Sequence, residues 1–103
     1  MAMFDKMQQM KKLYGLQKKA RAIQKELKNT EISAVSSDGK IEVIFTGDQK
    51  LDKINLSPEI LKPENAAKIE SALEKTIAEA LKEAQKLATS KMKSISGELG
   101  LGL

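Results

Sequence analysis

The sequence predicts an α+β fold in the order α-β-β-β-α, with a small antiparallel sheet and two helices too long for it. Three observations carry this. Apolar side chains recur at helical spacing from Met3 to Leu27 and again from Pro63 to about Ser96. Between those stretches, short segments alternate apolar and polar residues and are cut by Asp38-Gly39, Gly47–Lys50 and Ser57-Pro58. At 103 residues the chain has room for one domain, expected over residues 1–96, with 97–103 as a flexible Gly/Leu-rich tail.

The first helix contains no Pro and almost no β-branched residue. Its apolar residues form two series. Met3, Met7, Met10 and Tyr14 make one; Leu13, Leu16, Ala20, Ile23 and Leu27 make the other. At 100° per residue these lie well over 100° apart, so the first turns face a different partner from the rest, or the helix is irregular near Gly15. At 1.5 Å per residue the helix is roughly 40 Å long, more than so short a chain can cover.

In the middle, Asp38-Gly39 suggests a two-residue type I′ hairpin, which needs positive φ at both positions. Ile41, Val43 and Phe45 give the second strand a wholly apolar face, Ile32 and Ala34 mark the weaker first strand, and Ile54 and Leu56 the third. In the last helix Ile69, Leu73, Ile77, Ala80, Ala84 and Leu87 share one face. Seven of the eleven alanines fall between Ala66 and Ala88, making that face flat enough for close backbone approach. Gly97 is the expected stop.

The absences narrow function. With no His and no Cys, zinc ligation, a Cys or His nucleophile and a Ser-His-Asp triad are excluded. No metal, cofactor or small-molecule substrate is expected. The three aromatics are too few for a base-stacking platform. No apolar run approaches the roughly 20 residues of a membrane span, and the N-terminus lacks the order of a signal peptide, so a cytoplasmic protein without a membrane partner is expected.

Charge is unevenly placed. The chain carries a net +4, yet residues 1–30 hold eight cations against Asp5 and Glu26. Lys11, Lys18, Arg21, Lys25 and Lys28 fall within a helical arc of about 100° that contains no carboxylate and faces away from Leu16, Ala20, Ile23 and Leu27. Lys12 and Lys19 flank it. Amphipathic helices ordinarily carry Lys on their wet side, but here cations concentrate in one element and anions are nearly excluded. A stripe of this kind can follow a phosphate backbone by displacing condensed counterions. Lys68, Lys75, Lys82, Lys86 and Lys93 of the last helix share an arc with Glu79, and a solvated face explains them better.

Ile54-Asn-Leu-Ser-Pro-Glu-Ile-Leu61, Lys91-Met-Lys-Ser-Ile-Ser-Gly97, the Met- and Gln-bearing first helix, and Glu31 opening the first strand stand in a distinctive order and spacing. Together they resemble the YbaB/EbfC family of bacterial nucleoid-associated proteins. Ser57 stands where that family usually has Asp. The resemblance implies an intertwined, tweezer-like homodimer that binds double-stranded DNA in the nucleoid without catalysis and alters its conformation, organises the nucleoid or influences gene expression. Carried onto this sequence, the DNA-contacting residues are Lys11, Lys18, Arg21, Lys25 and Lys28, with Lys12 and Lys19 beside them. Apolar surface in excess of what three strands can cover also argues for a dimer. Leu13, Leu16, Ile23, Ile41, Val43, Phe45, Leu73, Ile77, Ala80 and Ala84 are the expected interface. The alternative function is a protein-interaction adaptor that uses the Met-rich face of the first helix.

Overall fold

A computed structural model describes residues 2–99. The order is α1 (Ala2–Lys28), β1 (Glu31–Val35), β2 (Ile41–Thr46), β3 (Leu51–Leu56), two single 3-10 turns at Pro58–Ile60 and Pro63–Asn65, and α2 (Ala66–Leu99). The predicted α-β-β-β-α architecture is the observed one. The molecule is markedly elongated: its extents are 75 × 22 × 15 Å and its radius of gyration is 20.3 Å, against about 13 Å for a compact chain of 100 residues.

The three strands form an antiparallel sheet in the order β1-β2-β3. Ile32 pairs with Phe45 and Ala34 with Val43 on one side of β2; Ile41 pairs with Leu56 and Val43 with Ile54 on the other. Strand alternation sends all of these to one face. The β2–β3 register is irregular at Ile44/Phe45, where the pairing skips Asp52. The β1–β2 connection is longer than the expected two-residue turn. It runs from Ser36 to Lys40, and Gly39 has φ 75° while Asp38 does not have positive φ. The Asp38 carboxylate accepts hydrogen bonds from the Ser36 hydroxyl (2.6 Å) and the Lys40 N–H (3.0 Å), and Gly39 N–H donates to the Ser36 carbonyl at 2.9 Å. Those bonds favour a wider loop in which only the glycine takes the left-handed conformation.

α2 lies across the apolar face of β1 and β2. Ile41, Val43, Phe45, Ala80 and Ala84 form the buried core, with Ile32, Leu56, Ile69, Leu73 and Ile77 packed around it. Ala80 and Ala84 are completely buried: their small side chains bring the helix backbone close to β2. Thr76, also buried, donates its hydroxyl to the Ala72 carbonyl at 2.7 Å, the usual way a helical Thr satisfies itself.

Five residues expected at a dimer interface (Ile41, Val43, Phe45, Ala80 and Ala84) pack inside the protomer's own core, and a sixth, Leu16, is buried as well. Periodicity identifies a face that must be buried without saying what buries it. Two boundaries also differ from expectation. Pro63 opens a 3-10 turn, held by Asn65 N–H to the Lys62 carbonyl and Asn65 Nδ2 to the Ile60 carbonyl, before α2 begins at Ala66. At the other end α2 passes through Gly97 to Leu99, because Gly97 does not adopt positive φ. The rest of the expected tail, 100–103, lies outside the described residues.

Candidate nucleic-acid interface

Among the described residues, α1 joins the body through its C-terminal half. Leu16 and Leu27 are buried, and Ala20 and Ile23 half-buried, along the side facing α2. Glu26 Oε1 and Lys91 Nζ, 3.0 Å apart, tie the end of α1 to the late turns of α2. The helix terminates at Asn29, whose N–H donates to the Lys25 and Glu26 carbonyls, and the Thr30 hydroxyl donates to the Glu26 carbonyl at 2.6 Å. Thr30 also accepts the Gly47 N–H at 2.9 Å, which links the helix end to the β2–β3 turn.

With Leu16 and Leu27 held inward, the 3.6-residue period directs Lys11, Lys18, Arg21, Lys25 and Lys28 outward, and all five are exposed. Lys12 and Lys19 are exposed on the flank, where with Lys11, Gly15 and Leu16 they line a shallow depression. The structure thus divides the seven predicted cations into an outward row and a flanking cluster. Lys25 and Lys28 occupy the last turn, where positive charge also complements the carbonyl end of the helix dipole.

The other predicted positions are distributed as follows. Leu13 is 56% exposed. Leu73 and Ile77 are half-buried against the sheet-facing core. Met7, Met10 and Tyr14 are 59%, 69% and 68% exposed, so these three are largely uncovered by the described residues; the Met3 side chain lies outside the described set. On α2, Lys82, Lys86 and Lys93 line a second shallow depression with Gln85, Thr89 and Ser90, and Lys86 pairs with Glu83 at 3.7 Å. Sequence reasoning missed the Glu26–Lys91 tie and the seat at Gly47. Both are long-range contacts, and neither leaves a periodic signal.

The remaining polar clusters brace the sheet. Glu42 accepts hydrogen bonds from Asn55 Nδ2 and the Ser33 hydroxyl, each 2.9 Å, which hold its carboxyl below the usual range. Glu59 is lowered by its hydrogen bonds from Lys40 and Ser57, and Asp38 by those from Ser36 and Lys40. Among the described residues no cluster of three or more His, Cys, Asp or Glu side chains is placed to hold a metal, and no helix is long and apolar enough to cross a membrane.

Residues 2–99 match the family model described as the YbaB/EbfC DNA-binding family. A nucleoid-associated protein of Bradyrhizobium sp. (strain ORS 278) is 34% identical over 99 residues, covering 96% of this chain and 93% of its own length. One from Ruminiclostridium cellulolyticum is 31% identical over 91 residues, covering 88% and 79%. Among solved structures, an uncharacterised protein, HP0035 from Helicobacter pylori, superposes with a TM-score of 0.61 over 76% of this chain and 90% of that one, at 20% identity. That likeness concerns the fold.

Proposed function

This chain belongs to the YbaB/EbfC DNA-binding family, and from that premise we propose that it binds duplex DNA as a homodimer, mainly through the phosphate backbone, by the outward face of α1. The row of exposed cations at Lys11, Lys18, Arg21, Lys25 and Lys28 carries the reading. These residues form one unobstructed stripe on an element that stands partly clear of the body. Backbone contact suits them. Lys and Arg neutralise phosphates regardless of sequence, whereas base recognition needs Arg, Asn or Gln aimed at groove edges. Lys12 and Lys19 supply further positive potential beside the row.

The dimer reading rests on apolar surface that the protomer leaves uncovered. Leu51 (52% exposed) and Ile54 (37% exposed) belong to β3, the strand that α2 covers least, and Leu61 beyond it is 56% exposed. β3 is also an edge strand, and its free backbone groups favour pairing with another chain. Leu51, Ile54 and Leu61, with the half-buried Leu73 and Ile77 of α2, are the interface candidates that keep surface to offer a second copy. Nucleoid organisation and effects on gene expression are the roles that follow from such binding, with no reaction catalysed. Titration of a labelled random-sequence duplex tests the reading: binding that weakens steeply with added salt supports it, and salt-independent binding or none contradicts it.

A further inference from the structure

The cationic row does not end where the charge ends. At 100° per residue, Met7, Met10 and Tyr14 project into the same arc of about 100° as Lys11, Lys18, Arg21, Lys25 and Lys28. The helix that carries them is unbroken from Ala2 to Lys28. One outward face is therefore apolar toward its N-terminus and cationic toward its C-terminus, with Lys11 among the apolar residues. The apolar part is well exposed, from 59% at Met7 to 69% at Met10.

We infer that Met7, Met10 and Tyr14 form an apolar wedge that enters the minor groove of the bound duplex and bends it, while the cations from Lys18 to Lys28 hold the adjoining phosphates. This rests on the DNA-binding reading above and extends it to a groove contact. The distance from Met7 to Lys28 is about 32 Å along a helix rising 1.5 Å per residue, close to one turn of duplex at about 34 Å. A face of that length laid on DNA cannot meet phosphates alone; part of it must lie over a groove. Methionine is among the side chains that wedge between base steps in minor-groove binders, where the cost of partial unstacking is offset by the contacts that bending allows.

Charge complementarity favours DNA over the other occupants. Lys11 and Lys18 border the apolar residues, which opposes a second copy of the same face because like charges would meet. A bilayer surface calls for an apolar arc along the whole helix, whereas here the arc turns cationic after Tyr14.

Tyr14 supplies a direct probe, since the chain has one tyrosine and no tryptophan. The full-length protein is titrated with a random-sequence duplex labelled at both ends. Anisotropy reports binding, energy transfer between the labels reports bending, and Tyr14 emission, corrected for DNA absorbance, reports contact. Tyr14 emission should fall in step with binding, and energy transfer should rise. The Met7→Ala, Met10→Ala double variant, with helicity checked by circular dichroism, should keep the salt dependence, lose about tenfold in affinity at most, and lose most of the rise in energy transfer. Binding with unchanged Tyr14 emission, or bending unaltered in the double variant, overturns the wedge and leaves the DNA-binding reading standing. Absence of any anisotropy change overturns both. If phosphatidylglycerol vesicles quench Tyr14 and the bound duplex does not, the face belongs to lipid and the wedge is likewise overturned.

Discussion

A Cβ placed on Gly47 would lie 2.8 Å from the carbonyl oxygen of Leu27 and 3.0 Å from its Cδ2. The β2–β3 turn is therefore the seat of the last turn of α1, and only a residue without a side chain lets it close. Gly47 N–H reaches the Thr30 carbonyl from the same position, so the direction in which α1 leaves the sheet is set by backbone contact. Gly47→Ala should displace that helix end and cost about 1–3 kcal/mol, as overpacking does. Gly15 and Gly97, both within helices and with nothing within 4 Å of an added Cβ, should respond oppositely: Gly15→Ala should stabilise by about 0.5–1 kcal/mol. Urea denaturation of the two variants checks the opposite signs.

The close approach of α2 to β2 depends on Ala80 and Ala84, both fully buried. Ala84→Leu must either lift the helix or force strained rotamers, and should lower stability by about 1–3 kcal/mol. Ala78→Leu, on the exposed side of the same helix, should change it by less than about 0.5 kcal/mol. Thermal melts of the pair distinguish a packing effect from a general effect of leucine.

Sedimentation tests the proposed β3 interface. The wild-type chain should sediment as a dimer of the 11.3 kDa protomer. Ile54→Lys should give a folded monomer, because Ile54 is already partly exposed within the protomer. A monomeric wild type at micromolar concentration, or an Ile54→Lys variant that remains dimeric, would contradict the interface.

The pH dependence follows from three lowered carboxyls. Glu42 and Glu59 lie below their ordinary 4.5, and Asp38 below its ordinary 3.8. A carboxyl with a lower pKa folded than unfolded contributes stability above the unfolded value and loses it as pH falls through the folded value. Stability should thus hold down to about pH 4.5 and decline below it. All three groups are at the surface, so the decline should be shallow. Salt should weaken the contribution of Glu59, which pairs with Lys40, more than that of Glu42, which is lowered chiefly by the neutral Asn55 and Ser33 and least by the charge of Lys53. Melting curves of Glu59→Gln and Glu42→Gln at low and high salt separate the two.

Much of this fold was legible because its elements are locally consistent. The 3.6-residue series of Leu16, Ile23 and Leu27 and the alternation of Ile41, Val43 and Phe45 each report a buried face from sequence alone. What covers such a face is a tertiary fact: in the sequence Ala80 and Ala84 suit a protomer core and a dimer interface equally well, and in the fold they pack on β2. Turn chemistry was only partly readable. Asp38-Gly39 marked the hairpin, but the hydrogen bonds that widen it depend on Ser36. The exposed cations of α1 were anticipated because charge segregation is written along the chain, whereas the Gly47 seat joins residues twenty positions apart in sequence. Gln49, at φ 67°, was equally unmarked. Because a left-handed conformation costs a side-chain-bearing residue about 1 kcal/mol, Gln49→Gly should raise stability by up to that amount in urea titration.

The salt dependence of DNA binding tests the central claim most directly, with wild type compared against the Lys18→Ala, Arg21→Ala, Lys25→Ala variant. Neutralising about 6 phosphates per dimer gives the wild type a slope of log K on log[salt] near −5. The variant should bind more weakly at every salt concentration and lose about half of that slope or more. A variant that binds with wild-type affinity and slope would contradict the assignment of the outward face of α1 to DNA.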